Sequence, residues 1–293
     1  MAISPALRPR PGLRAAPPEL YFVGSAVFHY LGPSFAVLLF ARVEPLGVAW
    51  LRIASAGALF ALWRRPWRAL RTTGRDARRL VASLGVVLAL MNVCFYLAID
   101  RLPLGTVAAI EFLPVVALAA LGVRSLRNLA ALALAVLGVY LLIDVRLGGE
   151  PVGVALAGAN AVLFAGYIVL AHRVARRHEL APIDGLAAAM LVATVVVTPM
   201  AGSSAAPALL DPVALAAGIG VGLASSVIPY VLDQLAMARL SRATYSLMVS
   251  LLPATATVIG IVVLAQIPQA VEVAGVALVV GAVALHREAG ARA

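Results

Sequence analysis

Long apolar stretches separated by short polar connections make up almost the whole chain. Each stretch has about the twenty residues that an α-helix needs to cross a lipid bilayer. The predicted membrane spans are residues 20–40, 45–63, 80–99, 104–123, 126–144, 152–171, 185–201, 212–233, 243–264 and 269–286. The pattern therefore predicts an all-α membrane protein with ten transmembrane helices.

The composition agrees with a chain that is surrounded by membrane lipid. Of its 293 residues, 63% are hydrophobic and only 12% are charged, whereas a soluble domain has about 25% charged residues. A chain this apolar cannot cover its own surface with polar groups. Lipid must contact most of its outer side chains.

The basic residues, all of which are arginines, indicate how the spans are oriented. Alternate connections contain 19 of the 23 arginines, the intervening connections contain three, and Arg52 lies within a span. Because cytoplasmic loops of membrane proteins carry the excess of basic residues, both termini are predicted to be cytoplasmic. The arginines lie in clusters between apolar runs and not along one face, which argues against a nucleic-acid partner. Residues 1–18, which are rich in proline, and residues 288–293 are predicted to be cytoplasmic tails, the first of them disordered.

Two parts of the sequence look alike and predict an internal repeat. Tyr96–Pro114 and Tyr230–Pro253 each pass from one span through a short connection to a proline within the next span, and the two prolines are 139 residues apart. We assign residues 19–146 and 147–287 to two repeats of five helices. An odd number of spans per repeat requires the halves to insert in opposite orientations, which is typical of alternating-access carriers.

Several short motifs, in their order and spacing, resemble the EamA-type carriers of the drug/metabolite transporter superfamily, and most closely the threonine/homoserine exporter branch. They are Trp50-Leu51-Arg52, Met91 to Ile99, Leu102 to Gly105, Ile110-Glu111-Phe112, Ile228-Pro229-Tyr230 and Leu251-Leu252-Pro253. The resemblance implies a ten-helix fold of two inverted five-helix repeats and export of small metabolites, commonly amino acids. The branch often has an acidic residue where this chain has Leu252, and this difference bears on substrate choice.

Arg52 and Glu111 are the charged candidates for a substrate site. Each lies about seven residues inside the outer end of its predicted span, which at ~1.5 Å per residue places both roughly 10 Å below the outer surface. Ionisable groups at membrane depth are costly and are functional candidates for that reason. Glu111 could bind a substrate ammonium or carry a coupling proton, and Arg52 could bind a substrate carboxylate. Alternatively, the two residues form a structural ion pair.

Six uncharged or titratable residues are further candidates for substrate binding: His29, Asn92, Tyr96, Asn160, Tyr167 and Tyr230. His29 could instead be a packing residue, the two asparagines could join helices by hydrogen bonds, and the tyrosines could be anchors at the membrane interface.

Prolines within the spans are predicted to break helices at depth. Tyr230 is the most promising tyrosine because it follows Pro229, and a proline frees backbone carbonyls that a cavity can use. Pro33, Pro114, Pro199 and Pro253 are the other candidates, either as gates or as kinks that help packing.

Catalytic and metal-binding chemistry finds no support in the sequence. The four histidines are scattered, Cys94 is the single cysteine, and no hydrolase, metalloprotease or phosphate-loop motif is present. We therefore expect no enzyme, no cofactor and no metal site.

The sequence predicts a secondary active exporter of small amino acids, similar to threonine or homoserine, or of related metabolites. It would lie in the cytoplasmic (inner) membrane as a monomer or homodimer and exchange its substrate for protons. Alternatives are a carrier for cationic drugs, sugars or aromatic amino acids, and a passive channel.

Overall fold

The computed structural model describes residues 17–122, 126–147, 150–175, 177, 180–237 and 252–285. Every regular element in this part of the chain is helical. The helices are α1 (Pro18–Leu39), α2 (Pro45–Arg64), α3 (Pro66–Thr72), α4 (Arg75–Ile99), α5 (Leu104–Gly122), α6 (Leu126–Leu147), α7 (Pro151–Ala175), α8 (Pro182–Leu210), α9 (Pro212–Gly222), α10 (Ile228–Met237), α11 (Leu252–Leu264) and α12 (Ala270–Leu285). A π-helical turn, Leu223–Val227, connects α9 to α10.

The predicted all-helical membrane class is confirmed. Six helical segments are long and apolar enough to cross a membrane, and four shorter apolar helices occupy positions of the predicted fourth, fifth, ninth and tenth spans. The count of ten spans stays a prediction. The two predicted tails lie almost wholly outside the described residues, as does the beginning of the predicted ninth span.

The length predicted for the seventh span is wrong. Residues 185–201 were expected, whereas α8 has 29 residues and continues to Leu210. The small residues at its end pack tightly: Ala205 and Ala208 are buried, and the backbone of Ser204 lies against Gly47 of α2. A short helix, α3, is an additional element that the sequence analysis did not predict.

The prediction that prolines break the helices is wrong for three of them. Pro33, Pro114 and Pro199 lie inside the continuous helices α1, α5 and α8. Neighbouring helices and local backbone adjustment make up for the lost hydrogen bond, which is why membrane helices tolerate proline. Pro253 is the second residue of α11 as far as that helix is described.

Helix pairs approach closely at glycine and other small residues. Helix α2 packs antiparallel to α8, where the Trp50 indole donates a hydrogen bond of 2.9 Å to the Thr198 hydroxyl. Helix α4 packs on α7 and α8, α1 on α10 and the π turn, α5 on α7 and α11, and α6 on α12. Helix α9 lies against α2 through Gly218 and Gly222. These contacts bring α1, α2, α4 and the π turn together around one buried region.

Ion pairs connect the two halves of the chain at both ends of the α2–α8 pair. Arg42 and Asp211 are 3.5 Å apart at one end, and Arg64 and Asp184 are 2.7 Å apart at the other. Asp211 also caps α9, since its side chain accepts hydrogen bonds from the backbone N–H groups of Val213 and Ala214.

Gly222 offers a direct test of the contact between α9 and α2. A Cβ at this position would lie 2.8 Å from the Arg52 carbonyl oxygen, whereas a Cβ at Gly220 of the same helix would meet nothing within 4 Å. We expect Gly222→Ala to destabilise the protein by about 1–3 kcal/mol because the helices must move apart. Gly220→Ala should be neutral or stabilising, by up to about 1 kcal/mol, because alanine favours a helix. Thermal unfolding of both variants in detergent measures the difference, and equal midpoints would contradict the packing.

Asp211 offers a second test, through the pH dependence of stability. The N–H groups of Ala214 and Val213, and to a smaller extent Arg42, hold the pKa of the Asp211 carboxyl below its usual range. At pH values above the ordinary pKa of an aspartate, the carboxylate therefore stabilises the fold. This stabilisation disappears as the pH falls through the lowered pKa. We expect Asp211→Ala to lower the unfolding midpoint at pH 7 and to lose that effect on acidification. Asp211→Asn, which keeps a capping side chain, should be closer to the wild type. An Ala variant whose deficit persists at acidic pH would contradict this account.

Candidate functional site

Arg52 lies buried in α2 and is surrounded by neutral groups. The residue as a whole is only 8% exposed to solvent. Its Nε donates a hydrogen bond of 3.1 Å to the Ser226 hydroxyl, and its Nη2 donates one of 3.1 Å to the Ser225 carbonyl oxygen. The guanidinium carbon lies 5.6 Å from the centre of the Tyr96 ring, within range of a cation–π interaction. Among the described residues, no carboxylate lies within ion-pairing distance of this cation.

The π turn explains why a backbone carbonyl is available to Arg52. Pro229 has no N–H, so the carbonyl four residues earlier, that of Ser225, loses its helical partner. The helix widens into a π turn at this point, and the Ile228 N–H donates a hydrogen bond to the carbonyl of Leu223, five residues earlier. The Pro229 carbonyl in turn accepts a hydrogen bond of 3.2 Å from Ser25 of α1. The carbonyl that Arg52 uses is therefore the one that Pro229 leaves unpaired.

Glu111 lies in α5 with a different neutral partner. Its Oε1 accepts a hydrogen bond of 3.0 Å from Asn160 Nδ2 of α7. Glu111 is 9% exposed and Asn160 is fully buried. In the described part of the chain, no basic side chain lies within ion-pairing distance of Glu111. The direct Arg52–Glu111 ion pair, one of the two alternatives from the sequence, does not form, and the two charges interact only at longer range.

Three buried polar atoms near these charges make no hydrogen bond of good geometry within the described structure. They are the Tyr96 hydroxyl, the Ser225 hydroxyl and the Asn160 Oδ1. Leaving such an atom unpaired costs about 1–3 kcal/mol, and it is uncommon in native proteins. Tyr96 and Ser225 belong to the Arg52 surroundings and Asn160 to those of Glu111. Each charged residue therefore has hydrogen-bonding capacity beside it that a ligand can use.

The remaining predicted residues make more ordinary contacts. His29 packs edge-on against Tyr230, with ring centres 6.2 Å apart, and so connects α1 to α10. Asn92 donates a hydrogen bond of 2.8 Å to the Leu88 carbonyl of its own helix. Tyr167 stacks on Phe164 at 6.1 Å.

Ser225 and Ser226 were not among the residues predicted from the sequence. A signal for them exists, because Ser225 stands four residues before Pro229 and its carbonyl must therefore find a partner outside its own helix. The sequence cannot say which residue that partner is.

Comparison with known proteins agrees with the helical fold. Residues 151–287 match the EamA-like transporter family. The chain is 31% identical over 256 residues to the threonine/homoserine exporter RhtA of Salmonella typhimurium strain LT2, covering 86% of this chain and 84% of that protein. It is 32% identical over 240 residues to the exporter of the same name from Escherichia coli strain K12, covering 80% of this chain and 79% of the relative. A solved crystal structure shares the fold, with a TM-score of 0.57 and 21% identity over 92% of this chain and 96% of its own.

These similarities cover both halves of the chain and agree with its membrane-spanning helices. They confirm the family that the sequence motifs indicated, and they place the protein in the inner membrane as a multi-pass protein. The chain belongs to the EamA-like transporter family and is a transporter, not an enzyme.

Proposed function

We propose that the protein is a secondary active exporter of small amino acids, such as threonine or homoserine, which it exchanges for protons by alternating access. The observation that carries this proposal is the separation of Arg52 and Glu111, two buried opposite charges that are each held by neutral partners. An amino acid at neutral pH also has two opposite charges. Its ammonium group suits Glu111, and its carboxylate suits Arg52.

The relatives support the choice of substrate. Proteins named threonine/homoserine exporters are 31–32% identical to this chain over most of their length. Other substrate classes would use the site less completely. A cationic drug would leave Arg52 buried without a counter-charge, and a sugar would match neither charge.

The helix packing supports two inverted repeats and hence alternating access. We number the proposed spans of the first half α1, α2, α4, α5 and α6, and those of the second half α7, α8, α9–α10, α11 and α12. If the two halves are exchanged, the contact between α4 and α7 corresponds to the contact between α9–α10 and α1. The contact between α5 and α7 corresponds in the same way to the contact between α11 and α1. The α2–α8 and α6–α12 pairs map onto themselves. Such a relation is expected of two similar halves related by a pseudo-twofold axis.

The ion pairs follow the same relation. The Arg42–Asp211 pair at one end of α2–α8 corresponds to the Arg64–Asp184 pair at the other. The Arg64 end is the one that adjoins the arginine-rich connection between α2 and α4, and we assign it to the cytoplasmic side on the basis of the positive-inside rule. Both termini then lie on that side.

Proton coupling is assigned to Glu111 because one carboxylate cannot bind a proton and an ammonium group at the same time. Competition between the two ligands for Glu111 would couple their movements in opposite directions. Asn160 donates to Glu111 through its amide and can hold the carboxyl group in place in either state. Since the sequence contains no phosphate-binding loop, a proton gradient is the proposed source of energy.

Counterflow distinguishes this carrier from a passive channel. We expect proteoliposomes preloaded with unlabelled threonine to accumulate labelled threonine transiently, because a carrier exchanges substrate faster than it returns empty. Protein-free liposomes are the control. Uptake that is independent of preloading would indicate a pore, and counterflow seen only with cationic drugs or sugars would refute the amino-acid assignment.

Glu111→Gln tests the coupling residue. We expect transport driven by a pH gradient to fall at least tenfold, because glutamine cannot exchange a proton, whereas substrate binding should survive in part. The matched control is Glu272→Gln. Glu272 is also buried, but its carboxylate accepts hydrogen bonds from the Gln269 N–H at the start of α12 and from the Thr106 hydroxyl of α5, and not from Asn160. Full pH-driven transport by Glu111→Gln, or equal losses in both variants, would remove Glu111 from this role.

A further inference from the structure

We propose that the hydroxyl groups of Ser225 and Tyr96, together with Arg52, form a subsite at the π turn that binds the carboxylate of the substrate directly. This inference rests on the proposed function and adds the groups that recognise one end of the substrate. It follows from three observations on the described residues: two unpaired hydroxyls, an Arg52 side chain with unused donors, and a tightly fixed backbone.

The two hydroxyls are buried and have hydrogens to donate. Ser225 and Tyr96 are each 0% exposed. The Tyr96 hydroxyl lies close to the Ser225 hydroxyl and to the Arg52 side chain, but neither hydroxyl makes a hydrogen bond of good geometry in the described structure. A serine or tyrosine hydroxyl offers one donor, and a carboxylate offers about four acceptor sites. An anionic ligand would therefore satisfy both hydroxyls at once.

Arg52 supplies the charge for the same ligand. Its described hydrogen bonds use two of its five N–H groups. The guanidinium group favours planar, bidentate binding of carboxylates. Because Arg52 has no carboxylate within ion-pairing distance among the described residues, an incoming substrate carboxylate would not have to displace a protein side chain.

The backbone around Ser225 is held by close helix contacts on two sides. A Cβ at Gly32 of α1 would lie 2.8 Å from the Ser225 backbone nitrogen, and a Cβ at Gly222 would lie 2.8 Å from the Arg52 carbonyl oxygen. The glycines therefore let α1 and α2 approach the π turn closely. Such fixed positions reduce the entropy lost when a ligand binds.

Ser226 and Ser225 differ in role despite being neighbours. The Ser226 hydroxyl already accepts a hydrogen bond from Arg52 Nε, so we assign it as a positioning residue for the guanidinium. The Ser225 hydroxyl makes no hydrogen bond of good geometry, although the Tyr96 hydroxyl is near it, and we assign it to the substrate. Because the subsite pairs the positive charge of Arg52 with a negative charge on the substrate, a neutral amide of the substrate should bind poorly.

The test compares Ser225→Ala and Tyr96→Phe with the wild type in threonine counterflow. We expect each variant to raise the half-saturating threonine concentration about tenfold or more and to reduce the preference for threonine over threoninamide as a competitor. The midpoint of thermal unfolding without substrate should stay equal or rise, because each change removes an unpaired buried hydroxyl. A merely structural role predicts the opposite, a lower midpoint with unchanged preference.

Ser55→Ala is the matched control. Ser55 lies in α2 one turn after Arg52, and its hydroxyl already donates to the Arg52 carbonyl, so its removal should leave the half-saturating concentration unchanged. Unchanged affinity in Ser225→Ala and Tyr96→Phe would overturn the subsite. So would equal competition by threonine and threoninamide in the wild type, although the exporter proposal would then stand. A wild-type protein that exchanges no amino acid would overturn the proposed function, and the subsite with it.

Discussion

Pro229 cannot donate a backbone hydrogen bond, and the arrangement of the buried polar region depends on this one missing N–H. A carbonyl left unpaired inside an apolar helix bundle must find another donor, since water is not available at that depth. Arg52 is that donor for Ser225, and the π turn opens the helix to admit it. The same contact holds a guanidinium group, which would be very costly to bury alone, between helices α2 and α10.

Keeping Arg52 and Glu111 apart has an energetic consequence. A buried ion pair would have satisfied both side chains, and breaking such a pair by removing one partner typically costs 3–5 kcal/mol. Neutral partners satisfy each charge only in part: Ser226 and the Ser225 carbonyl for Arg52, and Asn160 for Glu111. Both residues thus keep hydrogen-bonding capacity for a ligand, which suits a carrier that must bind and release its substrate in every cycle.

Small residues make these polar contacts possible because they let the helix backbones approach. Without a hydrophobic effect between helices in lipid, association depends on close packing and on interhelical hydrogen bonds. Gly32 and Gly222 bring α1 and α2 against the π turn, and Gly47 and Gly57 of α2 let that helix approach Ser204 and Thr194 of α8. The polar site and the helix packing therefore rest on the same positions.

The sequence by itself determined the helical class, most helix positions and the identity of the important charges. Apolar runs of bilayer length leave few alternatives to a helix, and Arg52 and Glu111 stand out because ionisable residues are rare within such runs. It also included Asn160 and Tyr96 among the candidates, although it could not assign their partners. Those partners come from far along the chain: Asn160 is 49 positions from Glu111, and Ser225 and Ser226 are 173 and 174 positions from Arg52. Only tertiary packing decided that Arg52 would face the π turn and not Glu111, because local periodicity contains no information about which distant helix supplies a donor or an acceptor. Packing likewise accompanies the continuation of α8 through its small residues to Leu210, where the backbone of Ser204 lies close to Gly47 of α2.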